Sequence, residues 1–206
     1  MLIKSIFILY DLYVMDLDIS IVTVLAGVVI YLVYDTYIVG SRERVRSGID
    51  SRTYLVRSLP DKQEAADLLA QVNQQLQTLI QHLQKLAPND PRTIRIVANY
   101  NPDHICEGVD SKEYTSYSVD KGREVIFCLR QKNKEQSLVD LNTITFVAIH
   151  ELGHIGTESI GHTDEFWANF RWLLAEGIQI GIYAEQDYKS KPKSYCGTTI
   201  TSSPLD

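Results

Sequence analysis

Cysteine is too sparse in this chain to build a metal finger or a stapled scaffold. Cys106, Cys128 and Cys196 are the only three, far apart and without a C-x-x-C pair. Such a set suits a reducing compartment, with one disulfide plus a leftover thiol as the alternative. Methionine is scarcer still, with Met1 and Met15 near the start and none beyond. Base is outnumbered by acid, 20 Lys+Arg against 26 Asp+Glu for a net charge of −6. This balance excludes a broad electrostatic footprint for nucleic acid, and no direct nucleic-acid binding is expected. Internal repeats and low-complexity tracts are also missing. What remains is 206 residues, 45% of them hydrophobic, enough for one domain with its own core.

One uncharged apolar run approaches membrane length. Residues 1–18 precede it; the first fifteen are apolar but carry Lys4 and Asp11 and are too short to span a bilayer. Met15 is a candidate alternative start. Residues 19–34 hold no charge, and extension to Gly40 gives a helix of roughly 33 Å, about one hydrocarbon core. A transmembrane anchor is therefore expected over 19–40, with the lipid bilayer as partner. Tyr31, Tyr34 and Tyr37 supply an aromatic belt at its downstream end. A signal peptide is disfavoured, because Asp11, Asp16 and Asp18 precede the run and no small-x-small cleavage site follows. A buried core helix is the other alternative. Arg42, Arg44 and Arg46 come next, so the positive-inside rule predicts a single-pass protein with its N-terminus out and its C-terminal domain cytosolic. Residues 41–59 read as a basic juxtamembrane linker and 60–206 as the working domain.

Within that domain Leu69, Val72, Leu76, Leu79, Leu83 and Leu86 recur at 3-4 spacing, predicting an amphipathic helix from near Pro60-Asp61 to just before Pro88. Such a stripe packs on a domain core; self-association or a partner helix through 69–86 is the alternative. Thr93–Ala98 alternates and reads as a strand. Tyr114–Val119 and Glu124–Leu129 flank Asp120-Lys121-Gly122 and predict a hairpin, with Cys128 packed in the core. Asp140 or Asn142 can cap a helix running to Gly156, and Thr163 a further helix with Phe166, Trp167, Phe170, Leu173, Leu174 and Ile178 on its apolar face. Residues 181–206 read as a loop or extended tail, a candidate to lie along the cleft. His82 and His104 read as surface or structural residues.

The chemistry is concentrated in His150-Glu151-Leu152-Gly153-His154. On a helix the two histidines stand one turn apart on one face, the spacing two imidazoles need to share a zinc ion. Glu151 can take a proton from a water beside that ion. Catalytic zinc takes three protein ligands and a water. His162 is the expected third, with Glu158, Glu165 and Glu176 as alternatives; Glu158 is also a candidate support for a ligand imidazole. Tyr183, Tyr188 and Tyr195 are candidates to stabilise a tetrahedral oxyanion. The hairpin near 114–129 is a candidate edge for an extended polypeptide substrate.

His150-Glu151-Leu152-Gly153-His154, then Gly161-His162 and Phe166-Trp167, resembles the zincin core of the WLM and SprT-like metalloprotease families. The resemblance is specific over about 140–175. It implies an α+β fold, a minimal zincin-like domain of helices on a small mixed sheet with an HExxH helix. It also implies zinc on His150, His154 and His162, with Glu151 as catalytic acid/base. Seven residues separate His154 from His162 and no methionine follows the site, which excludes a metzincin. The expected function is a membrane-anchored zinc endopeptidase. The alternative is a structural or interaction protein of a membrane or virion coat that keeps the fold without turnover. Similarity to anchored proteins of large DNA viruses makes a virion membrane or coat the alternative location.

Overall fold

A computed structural model describes residues 19–34, 36, 41–109 and 115–206. The chain divides into one unit ending at Arg42 and a second running from Glu43 to Asp206. In the first, α1 covers residues 19–34, every one of them exposed. Among the described residues no helix is long and apolar enough to cross a membrane. Positions 35 and 37–40 of the expected 19–40 anchor lie outside the described residues, as do the 1–18 segment and Met15.

The second unit is α+β. Its central helix α2 (Lys62–Leu86) is the one that the leucine spacing predicts. Leu69, Val72, Leu76, Leu79 and Leu83 are at most 1% exposed, and only Leu86 looks outward. A self-association seam over 69–86 is thereby corrected: the stripe is consumed by the chain's own core, leaving no continuous apolar face for a partner. Against α2 lies a five-stranded sheet in the order β1-β2-β3-β5-β4. The strands are β1 (Arg42–Arg46), β2 (Thr53–Arg57), β3 (Ile105–Glu107), β4 (Tyr117–Val119) and β5 (Glu124–Phe127). β3 runs parallel to both β2 and β5, and β4 closes one edge antiparallel to β5.

Two expectations fail here for identifiable reasons. The expected linker over 41–59 contains β1 and β2, because alternation of Arg42, Arg44 and Arg46 with Glu43 and Val45 is that of an edge strand. Thr93–Ala98 is not a strand but part of helix α3 (Pro91–Asn99). Asp90 accepts the Arg92 N–H at 2.8 Å and Pro91 opens the first turn, a start signal that outweighs the β-branched composition. Its buried side chains, Thr93 and Ile96, are spaced i, i+3.

The hairpin of β4 and β5 forms in shorter strands than expected, and Tyr114 lies outside the described residues. Helices α4 (Leu141–Gly156) and α5 (Asp164–Gln179) follow, packed on each other. The tail is not all loop. β6 (Lys193–Tyr195) and β7 (Thr198–Ile200) pair antiparallel across Cys196-Gly197, both at positive φ (50° and 81°), as a two-residue primed turn requires. Cys196 is bonded to Cys128, which corrects the all-reduced reading, while Cys128 packs against the core as expected. Cys106 stays a buried thiol, donating to Glu124 Oε1 at 3.3 Å.

The bond joins residues 68 apart, so it removes considerable freedom from the unfolded chain. The double variant Cys128→Ser, Cys196→Ser is expected to lose about 2–4 kcal/mol in urea unfolding. An unchanged midpoint would show that the bond contributes nothing to stability.

Candidate metal centre and active site

Helix α4 carries the motif, and both of its ends are fixed by side chains. At the start Asp140 accepts the Thr143 N–H at 3.0 Å and the Thr143 hydroxyl at 2.9 Å. At the end the Thr157 hydroxyl donates to Gly153 O at 2.7 Å and itself accepts from Asn169 Nδ2 at 2.8 Å. Gly153 lets α5 approach closely: a Cβ there would stand 3.2 Å from Phe166 Cε2. The apolar side of α4 (Ile144, Ala148, Ile149, Leu152 and Ile155) is buried. The helix therefore cannot rotate its histidines away.

His150 and His154 leave α4 on one face, and His162 arrives from the segment between α4 and α5. Nε2 of His150 lies 3.2 Å from Nε2 of His154 and 3.0 Å from Nε2 of His162. In a tetrahedral site with Zn–N bonds of about 2.0–2.1 Å, ligand nitrogens stand roughly 3.3 Å apart. The separations fit. All three rings also pack around one buried side chain, Phe166. His154 stacks on it at 4.2 Å and 22°, while His150 and His162 meet it edge-on at 4.8 Å each. Trp167 covers the other side of His162 at 5.6 Å.

The electrostatics agree with a cation site. Burial, then the neighbouring imidazoles, lowers His150 from 6.5 to about 3. Burial, then His162 and Lys121, lowers His154 to about 4. Both rings are thus neutral at ordinary pH, with lone pairs available. Three imidazoles form a donor set suited to zinc and its first-row neighbours. Among the described residues these histidines are the one group of three or more His, Cys, Asp or Glu able to share an ion.

Glu151 points into the same cleft and is 4% exposed. Burial raises its carboxyl from 4.5 to about 7, against the N–H and hydroxyl of Ser118 on β4, which bond to it and favour the charged form. The cleft is about 760 Å³, walled by β4, the end of α4, the loop bearing His162, and the β6–β7 hairpin through Tyr195 and Ile200.

The three alternative carboxylate ligands are engaged elsewhere. Glu158 is 80% exposed and pairs with Arg95 at 2.7 Å, which corrects its expected role beside a ligand imidazole. Glu165 accepts the N–H groups of Glu158 and Ser159 at 3.0 and 3.1 Å, and Glu176 bonds His82 Nε2 at 2.7 Å. His104 Nδ1 meets Arg123 O at 2.7 Å.

The tyrosines divide in the same way. Tyr183 and Tyr188 are buried against Phe146, with ring centroids 5.8 and 4.9 Å away, and neither lines the cleft. Tyr195 does line it. Its hydroxyl lies 2.5 Å from Ser116 Oγ and donates to Cys128 O at 3.0 Å, while burial raises its pKa well above the usual tyrosine range.

Ser116, Ser118 and Lys121 were not foreseen. The hairpin pattern locates their strand and turn, but no spacing links them to a motif that begins only at His150. The turn between β4 and β5 places them. Asp120, Lys121 and Gly122 all have positive φ (45°, 56° and 110°). A Cβ on Gly122 would stand 2.9 Å from Asn99 O and 3.0 Å from Ile155 Cδ1. Gly122→Ala is accordingly expected to cost about 1–3 kcal/mol, read as a lower thermal midpoint. No shift would mean that the turn is not seated against α4.

Comparison with known proteins identifies the family. The sequence profile described as the WLM domain matches residues 49–204. The chain is 32% identical over 160 residues to the uncharacterized protein R325 of Acanthamoeba polyphaga mimivirus, covering 76% of this chain and 81% of that one. It is 26% identical over 188 residues to the uncharacterized protein 136R of Invertebrate iridescent virus 6, covering 87% and 97%. The crystal structure of Wss1 from Saccharomyces cerevisiae is similar, with a TM-score of 0.46 and 17% identity over 61% of this chain and 86% of that one. With the profile spanning three quarters of its length, and relatives among viral proteins, the chain belongs to the WLM-domain family, a metalloprotease-type family of zincin-like fold.

Proposed function

We propose that the protein is a zinc-dependent endopeptidase. The observation that carries the proposal is the convergence of three imidazole Nε2 atoms beside the buried carboxyl of Glu151 in one open cleft. His150, His154 and His162 would hold the ion. Zinc bound there supplies a Lewis acid that polarises a carbonyl and acidifies water. Glu151 takes a proton from the attacking water and returns it to the departing amine. Ser118 keeps the carboxylate oriented toward the cleft while that proton moves. Of the three candidate tyrosines Tyr195 is the one that lines the cleft, and its hydroxyl would turn from Cys128 O to donate to a developing oxyanion. β4 is an edge strand that lines the cleft, so its outer backbone groups suit pairing with an extended polypeptide.

Attachment to a lipid bilayer through residues 19–40 is a second part of the proposal. It is supported by the apolar side chains of α1, all of them exposed. The cytosolic orientation read from the arginines has the Cys128–Cys196 bond against it, because disulfides persist in oxidising compartments. A virion membrane or coat fits both features. The full chain is expected to float with liposomes, and a chain starting at residue 41 to remain behind. Equal flotation of the two would remove the anchor.

The enzymatic reading is tested on a mixture of denatured proteins. Glu151→Gln is expected to keep its zinc and lose at least about 10²-fold in cleavage rate. His162→Ala is expected to lose most of its zinc. A wild type that binds zinc yet is as inert as Glu151→Gln would favour a coat or scaffold role. Undiminished zinc in His162→Ala would remove His162 from the ligand set.

A further inference from the structure

Between α4 and α5 the chain has no regular structure from Thr157 to Thr163, yet this stretch alone decides where His162 stands. One cation pins it. Lys121 Nζ donates to three backbone carbonyls: His154 O at 3.3 Å, Thr157 O at 2.8 Å and Ser159 O at 2.7 Å. An ammonium has three N–H donors, and here each has an acceptor. The first carbonyl belongs to a histidine of the cluster, and the other two open the path to His162. These groups also sit at the C-terminal, electronegative end of α4, where a cation is favoured.

The turn that delivers this lysine is costly in itself. Asp120 and Lys121 are side-chain-bearing residues in the left-handed region that favours glycine. The packing of Gly122 on Asn99 O and Ile155 holds the turn in place. On the far side of the loop the Glu165 carboxylate accepts the Glu158 and Ser159 N–H groups. The loop is gripped from both sides, its carbonyls by Lys121 and its amides by Glu165.

We infer that Lys121 is a positioning residue for the three-histidine centre, fixing the His154 backbone and the loop that presents His162. The inference rests on the reading that these histidines bind zinc. It assigns to the β4–β5 turn, remote in sequence from the motif, control over how well the third imidazole is pre-placed. Removing the ammonium frees the loop, and an ion must then order it at the moment of binding. The loss appears in metal affinity before it appears in the fold.

The test is chelator-competition titration of zinc into the full-length protein, with the visible spectrum of the cobalt-loaded protein as a second readout. Lys121→Met is expected to bind zinc about 10–100-fold more weakly, with weakened tetrahedral cobalt bands and an unchanged far-ultraviolet circular dichroism spectrum. Lys121→Arg, which keeps charge and donors, is expected to recover most of that loss. A merely structural lysine would lower the melting temperature and leave the affinity of the folded protein unchanged. If Lys121→Met does not fold, Glu165→Gln takes its place and is expected to weaken zinc in the same direction. A wild type that binds no zinc removes the metal reading and this inference together. A wild type that binds zinc tightly, with a folded variant within threefold of it, overturns the inference alone.

Discussion

Nε2 of His150 faces the Nε2 atoms of His154 and His162 at 3.2 and 3.0 Å, an arrangement that a shared proton or a cation makes favourable. Burial lowers the basicity of His150 and His154, which disfavours a shared proton and suits the metal proposed above. Much of the second unit holds this arrangement against its own repulsion. The core side of α4 stops the helix turning, Phe166 on α5 supports all three rings, and the loop between these helices is bonded from both sides.

The same elements make a cleft as well as a cluster. β4 supplies Ser118 to Glu151 and a wall to the opening, and its turn supplies Lys121 to the end of α4. The β6–β7 hairpin supplies Tyr195 and Ile200 to the opposite wall, tied down by Cys128–Cys196 and by the Tyr195 hydroxyl. Two hairpins from distant parts of the chain thus meet across the motif helix. Tyr195 and Ser116, joined at 2.5 Å, are where they touch.

Long, strongly patterned elements were legible in the amino-acid order. The leucine spacing of α2, the Asp140 and Thr163 caps of α4 and α5, and His150, Glu151, His154 and His162 each carry their own local signal. What was hidden depends on partners far along the chain. β3 is three residues long and needs β2 and β5 on either side to exist. β1 and β2 were masked by arginines that also suit a membrane flank. α3 reads as a strand by composition, and only Asp90 and Pro91 mark it as a helix. Lys121 reads as a turn residue because its function lies in three carbonyls more than thirty residues away. The disulfide was among the alternatives but not its pairing, since three cysteines allow three choices and geometry alone selects one.

The central claim is that three histidines and no other protein group hold the metal. X-ray absorption at the zinc edge of the zinc-loaded full-length protein tests it most directly. The account predicts three imidazole scatterers at about 2.0–2.1 Å, completed by oxygen, with no sulfur shell. A sulfur shell at about 2.3 Å, or fewer than three imidazoles, would contradict it.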